Sequence, residues 1–339
     1  MDMHTLRRIP TSMTTILRAS FVAAFAAFLG LAPCAFSLAF AQEFPSRPLR
    51  IVVPYAAGGG ADLLARLVGT ELGARVKQPV VVENQGGGSN TIGMRLVATS
   101  PRDGYTLGLA TPVFVMTPSL MKTHPYDPLK DFVPVAMIGF TPLVLCVHPS
   151  VPAKTVAEFV ALGKAKPGSL NFASLGTSTT QGLAAYQFNY MTGIEAVEVV
   201  YKGSAPGTLD LLAGNVQYMF NALPSMIPHI QSGKLRALGV SSARPAAQLP
   251  DVPPIEPSVP GYRVVTWYSF VAPAGTPQAA IDRLNREIGA IVESPGMKKK
   301  LAEQGVEADA MSLPQLKKLY VDETARWAQV IRDAKVKPQ

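Results

Sequence analysis

From Leu49 onward the chain repeats one pattern: a short apolar run rich in β-branched residues, a loop of glycine or hydroxyl residues, then helical spacing of apolar residues. That alternation predicts an α/β architecture, with helices layered on parallel strands. Strands are expected at 49–53, 80–82 and 105–110, with helices at 61–72 and 92–98 between them. Each strand runs into a polar or glycine loop: Pro54-Tyr-Ala-Ala-Gly-Gly-Gly-Ala-Asp62, then Glu83-Asn-Gln-Gly-Gly-Gly-Ser-Asn90, then Thr111-Pro112. In open α/β sheets ligands bind at that carboxyl edge.

The same three-unit pattern returns. A second set starts near 143–147, with strands at 170–173, 196–200, 216–220 and 235–240. Its loops are Ser174-Leu-Gly-Thr-Ser-Thr-Thr180, Tyr201-Lys-Gly-Ser-Ala-Pro206 and Asn221-Ala-Leu-Pro224. A proline-rich stretch at 245–261 reads as a surface connection, 264–271 as a strand returning to the first set, and 277–292, 296–303 and 313–334 as helices. The chain therefore crosses twice, near 143 and near 266. Residues 43–142 with 268–339 form one lobe and 143–267 the other, and two crossings between facing loops make a clamshell.

Residues 1–41 do not belong to this pattern. Arg7, Arg8 and Arg18 lead into an uncharged run from Phe21 to Phe40, and Ala39-Phe40-Ala41 supplies a small-x-small cleavage site. This reads as a cleaved export signal, with Met13 an alternative start; Pro33 interrupts the run and counts against a membrane anchor. Leu31-Ala-Pro-Cys34 is a poor lipoprotein box, because proline stands where a small residue is needed. Loss of the signal leaves Cys146 alone in the apolar run Leu143-Val-Leu-Cys-Val147, a buried structural thiol with no disulfide partner. The formal charge of +8 is spread out apart from Lys298-Lys-Lys300, which lacks the interleaved aromatics of a nucleic-acid surface.

The turn after the first strand offers free backbone N–H groups and the positive end of a helix dipole, which together hold an anion. In the cytoplasm that would suggest a nucleotide; in an exported protein it suggests a small carboxylate. The nucleotide fingerprints are also missing: Leu63 stands where a third glycine belongs after Gly58 and Gly60, and no Gly-Lys-Ser/Thr follows. Ser174, Thr177, Ser178, Thr179 and Thr180 suit anion binding by hydroxyls and N–H groups, although ordinary helix capping needs one of them. Asp62 reads equally as a cap or a ligand contact, with Arg66 one turn on to pair with it, and Lys202 reads as a ligand cation or a solvated lysine. His124, His148 and His229 show no metal-ligand spacing, and no Gly-x-Ser-x-Gly elbow precedes a helix. No metal, cofactor or covalent chemistry is expected.

These blocks, taken in order, resemble one family: the periplasmic solute-binding receptors of tripartite tricarboxylate transporters, the Bug family. The resemblance runs from Phe44-Pro-Ser-Arg-Pro48 to Trp327. Besides the loops above it includes Pro101-Arg-Asp-Gly-Tyr-Thr106, Tyr126-Asp-Pro-Leu-Lys-Asp-Phe-Val-Pro-Val135, Asp210-Leu-Leu-Ala-Gly214, Gly233-Lys-Leu-Arg-Ala-Leu238 and Leu249-Pro-Asp-Val-Pro253. It implies a two-lobed type II periplasmic binding fold that closes on an organic anion, held by backbone groups, hydroxyls and waters. Carried onto this chain, the first-lobe contacts are Tyr55, Ala57, Gly58 and Gly59, with Thr111 and Pro112 beside them. The second lobe offers Ser174, Gly176, Thr177 and Ser178, then Ser204 and Ala205, then Asn221; Asp210 matches a family position that is either ligand-binding or structural. The implied partners are a dicarboxylate, tricarboxylate, amino acid or aromatic carboxylate and the membrane subunits of a transporter, with the receptor itself a monomer.

Two departures from the family pattern stand out. The second-lobe loop has Ser178 for a glycine and Gly182 for a histidine, with Gln181 as a substitute polar group, and the third loop has Phe220-Asn221 where Phe-Asp is common. The expectation is a far end of the pocket reshaped or neutralised, for a ligand whose distal part differs from that of a small dicarboxylate by being larger or aromatic. The sequence alone leaves two other functions open: a periplasmic sensor acting on a signalling partner, and a secreted hydrolase or lyase.

Overall fold

The computed structural model describes residues 44–177, 179–333 and 336. The expected export signal and Ser178 lie outside the described residues. Phe44–Gln339 groups as one compact unit.

The first half begins with β1 (Leu49–Val53), whose alternate faces are both buried, as suits a central parallel strand. It leads through the glycine turn into α1 (Gly60–Val76). β2 (Val80–Asn84) lies parallel to β1 and feeds α2 (Thr91–Ala98), and β3 (Thr106–Ala110) lies parallel to β1 on its other side. The chain then turns at Thr111 into α3 (Pro112–Leu120), with Pro112 in the first turn, where its missing N–H costs nothing. The second half comprises β4 (Phe132–Val147), α4 (Val156–Ala165), β5 (Leu170–Ser174), α5 (Thr180–Thr192), β6 (Ala196–Val200), α6 (Ser204–Ala213), β7 (Tyr218–Ala222), α7 (Leu223–Gln231) and β8 (Arg236–Val240). β9 (Val265–Pro273), α8 (Gln278–Val292), α9 (Pro295–Glu303), β10 (Glu307–Ala308) and α10 (Leu313–Asp333) complete the described chain.

The strand order is β2-β1-β3-β9-β4-β7-β5-β6, with β8 and β10 also paired to β4. Parallel pairing is confined to the two ends, β2-β1-β3 and β7-β5-β6. The middle is antiparallel: β3 with β9, β9 with β4, and β4 with β7 and β8. The two expected sets of parallel strands are thus the two ends of the sheet, joined by antiparallel crossing strands. The crossing also changes the reading of β4, which starts at Phe132 rather than near 143. From Phe132 to Pro142 it pairs with β9, and from Leu143 to Val147 with β7 and β8. A single sixteen-residue strand therefore carries the chain from one half to the other, and β9 carries it back. Helices α3 and α4 were not expected: α3 is apolar nearly all round, so it shows no helical stripe, and α4 lies in a stretch assigned no element.

Packing fixes the elements that face the middle of the molecule. α1 covers β1 and β2, and α8 packs beside α1 on β4, in one core that includes Leu64, Val68, Leu72, Ile281, Leu284 and Ile288. α3 is seated on α10 by rings: Phe114 meets Tyr126, Phe132 and Tyr320 with centroids 5.5, 4.9 and 5.7 Å apart, and Tyr320 stacks on Trp267 at 5.4 Å. In the second half Tyr218 packs against Phe159 and Phe172. Cys146 is fully buried, and burial pushes its thiol pKa up, which suits a packing residue rather than a nucleophile.

Candidate ligand-binding cleft

The turn from β1 into α1 is held by its own side chains. Gly58 takes φ +83°, a conformation open to glycine, and its N–H donates to Asp62 Oδ2 at 2.9 Å. Asp62 is almost fully buried, and the Arg66 guanidinium lies 2.9 Å from its Oδ1. That guanidinium, with the Gly58 N–H, holds the carboxyl below its usual range despite burial. Arg66 also donates to Asn84 Oδ1 at 3.0 Å, and Asn84 Nδ2 donates to the Tyr55 carbonyl at 3.2 Å. Asp62 is therefore a brace, and the Gly58 N–H is engaged by it. Leu63 N–H makes the first helical bond, to Gly59 O, so the N–H groups of Gly60, Ala61 and Asp62 precede the ladder and are presented at the helix start.

Tyr55 and Thr111 meet across this edge, their hydroxyls 2.5 Å apart. Burial raises the Tyr55 phenol pKa, so it stays a neutral donor and acceptor. From the second half, Ser174 Oγ accepts from Gly176 N–H at 3.0 Å, shaping the loop. Thr179 caps α5: its Oγ1 accepts from Gly182 N–H at 3.0 Å and donates to Gly176 O at 2.9 Å.

These loops face one another across a cleft of about 290 Å³. Tyr55, Gly59, Gly60, Ala61, Thr111 and Val113 line it from the first half, and Leu175, Thr179, Thr180 and Gln181 from the second. Thr266 and Tyr268, on β9, complete it. No charged side chain is in this lining, so an anion here would meet hydroxyls, an amide and helix N-termini. Larger grooves exist, such as one of about 500 Å³ lined by Leu129, Lys130, Ile281 and Lys317. That groove lies away from the carboxyl ends of the parallel strands, where ligands of open sheets bind. Among the described residues no three His, Cys, Asp or Glu side chains are grouped to hold a metal ion.

Of the residues expected at the site, Tyr55, Gly59 and Thr111 line the cleft directly. Gly58, Ser174 and Gly176 shape its loops, Pro112 stands between two lining residues, and Ala57 and Thr177 each lie two positions from lining residues in sequence. Ser204, Ala205 and Asn221 form a separate cluster, in which Asn221 Nδ2 donates to Ser204 Oγ at 2.5 Å and Asn221 Oδ1 accepts from Ala222 N–H at 2.9 Å. Asp210 accepts from the Tyr201 hydroxyl at 2.7 Å and from Asn215 Nδ2 at 3.2 Å, bonds that hold its pKa down and give it a bracing place on α6. Lys202 is exposed and outside the lining.

A Cβ on Gly182 would stand 2.0 Å from the Gly176 carbonyl oxygen, so the loop itself occupies the space beside it. The lining residues that sequence reasoning passed over are Gly60, Ala61, Val113, Leu175, Thr266 and Tyr268. The last two sit on the returning strand, whose crossing position was legible while its cleft-facing residues were not.

Two parallel sheet ends joined by two crossing strands, with polar loops across an uncharged cleft, define a two-lobed periplasmic binding protein. The chain belongs to a family described as the tripartite tricarboxylate transporter family receptors, whose pattern matches residues 64–336. Protein BugT of Bordetella pertussis is 36% identical over 301 residues, 88% of this chain and 92% of that one. The structure described as R. palustris Rpa4515 with adipate is 35% identical, covers 88% of this chain and 100% of that one, and superposes with a TM-score of 0.76. MatC (Rpa3494) from Rhodopseudomonas palustris with bound malate is 28% identical over 85% of this chain and 100% of that one, with a TM-score of 0.72. Members of the family are solute-binding receptors rather than enzymes. No helix among the described residues is long and apolar enough to cross a membrane.

Proposed function

We propose that this receptor captures an organic carboxylate between its lobes in the periplasm and hands it to the membrane subunits of a tripartite tricarboxylate transporter. The observation that carries the reading is the pairing across the cleft of the α1 turn, with Tyr55 and Thr111, and the α5 start, with Thr179, Thr180 and Gln181. A carboxylate has enough acceptor sites to bond to both sides at once, and the fields of two helix starts favour its charge. Closure is then a population shift, since only the closed form makes both sets of contacts.

The adipate and malate bound by two relatives make dicarboxylates the first class to try. The space beside Gly182 is filled, which counts against an enlarged or aromatic-fitting far end. The ligand set we assign to the lining includes Tyr55, Gly59, Thr111, Thr179, Thr180 and Gln181. Residues 43–142 with 268–339 and residues 143–267 act as the two lobes, and residues 1–41 as the cleaved export signal of a monomeric receptor that does no chemistry on its ligand.

Protein recovered from the periplasm, expected to begin at Gln42, is the material for a thermal-shift screen across dicarboxylates, tricarboxylates, amino acids and aromatic acids. Ligand at a hundredfold excess over its Kd should stabilise the fold by about 2.7 kcal/mol. A shift with one or a few aliphatic carboxylates is the expected outcome, and a flat response to every acid at millimolar concentration would overturn the reading.

A further inference from the structure

Thr266 differs from Tyr55, Thr111 and Thr179, whose hydroxyls have partners within the protein. Tyr55 and Thr111 bond to each other, and Thr179 both caps α5 and donates to the Gly176 carbonyl. The Thr266 Oγ1 atom is buried, yet it has no hydrogen-bond partner among the described residues. Buried hydroxyls are ordinarily satisfied, because an unmade bond leaves the full desolvation penalty standing. Thr266 as a residue is only half-buried and belongs to the lining of the cleft. It also sits on a crossing strand, opposite Thr141 of β4, one pair before β4 leaves β9.

We infer that Thr266 is a ligand-positioning residue: its hydroxyl donates to an oxygen of the bound carboxylate, so the crossing strand itself fixes where the ligand sits. This rests on the carboxylate-receptor reading and adds a third point of attachment to the two facing loops. The loops present their donors from either lobe, and each set moves with its lobe. A donor on β9 stays with the crossing in both open and closed forms. It meets the ligand's oxygen at one place along the cleft, so it selects how far that oxygen lies from the loop-bound end. The chemical class selected is an acid carrying an oxygen acceptor at that point, whether a second carboxylate or a hydroxyl beside the first.

The test compares Thr266→Val, which keeps the shape and removes the hydroxyl, with Thr266→Ser, which keeps the hydroxyl. Titration calorimetry with adipate and with malate gives the affinities, and a thermal melt without ligand gives the stability. Loss of a bond to a charged acceptor weakens binding about tenfold or more. The expected result is that loss in Thr266→Val, affinity within about twofold of wild type in Thr266→Ser, and a ligand-free Tm in Thr266→Val no lower than that of wild type. An unfolding defect alone would not give this combination. Equal affinity for wild type and Thr266→Val would overturn the inference, as would an equal loss in both variants, which would assign the effect to shape. Wild-type protein that binds no carboxylate in the screen above would instead bring down the receptor reading, and this inference with it.

Discussion

Asp62 shows how far a single residue can be read without a structure. Its position at the start of a helix, one turn before Arg66, fitted a cap, a dipole partner or a ligand contact equally well. The structure spends its carboxylate on the Gly58 N–H and on Arg66, so it holds the turn that holds the site. Its folded-state pKa is depressed, first by Arg66. A depressed carboxyl stabilises the fold above its unfolded pKa, about 3.9, and that stability is lost as pH falls through the lower folded value. Asp62→Ala should therefore cost about 1–3 kcal/mol near pH 7. The difference from wild type should shrink as pH falls below about 4. Urea melts across pH check this, and a gap that stayed constant into strong acid would deny Asp62 the role. The serine and threonine run at 174–180 was ambiguous for the same reason: capping and ligand binding ask for the same atoms. Thr179 both caps α5 and lines the cleft, so the two readings were never exclusive.

At the scale of elements, the strands of both sets were legible from β-branched runs bounded by glycine and proline. The register of β4 was not. Phe132–Val147 contains Pro134, Gly139 and Pro142, residues that ordinarily argue against a strand, and the ladder shifts register near the first two. Its partner on one side, β9, lies more than a hundred residues on, so no local signal ties the two together. Helix α5 was legible from its hydroxyl-rich start, and its cap offers a clean test. Thr179→Ala removes the acceptor for Gly182 N–H and the donor to the Gly176 carbonyl. Capping energies place the cost at about 1 kcal/mol. Because the same loop faces the ligand, carboxylate affinity should fall alongside stability. Denaturant melts and titration of one sample each for wild type and variant would decide it, and a stability loss with unchanged affinity would separate the loop from the site.

For the whole molecule, the doubled pattern of strand, loop and helix foretold two lobes with facing loops. What it could not foretell is that the lobes are joined inside one continuous sheet, through β4 and β9, so that residues of the joint also line the cleft. The pocket's contents follow from that joint as much as from the loops, which is why Thr266 and Tyr268 escaped a reading built on loops. The departure from the family pattern at Gly182 was visible, but its effect depends on where the Gly176 carbonyl goes, a matter of tertiary contact. The most direct test of the central claim is a crystal structure with the best-binding carboxylate. The expected result is a closed molecule, with one ligand oxygen within about 2.7–3.2 Å of an N–H in the first turn of α1 and another within the same reach of Thr179, Thr180 or Gln181. A ligand bound to one lobe only, or lodged in the outer groove near Lys130 and Lys317, would contradict it.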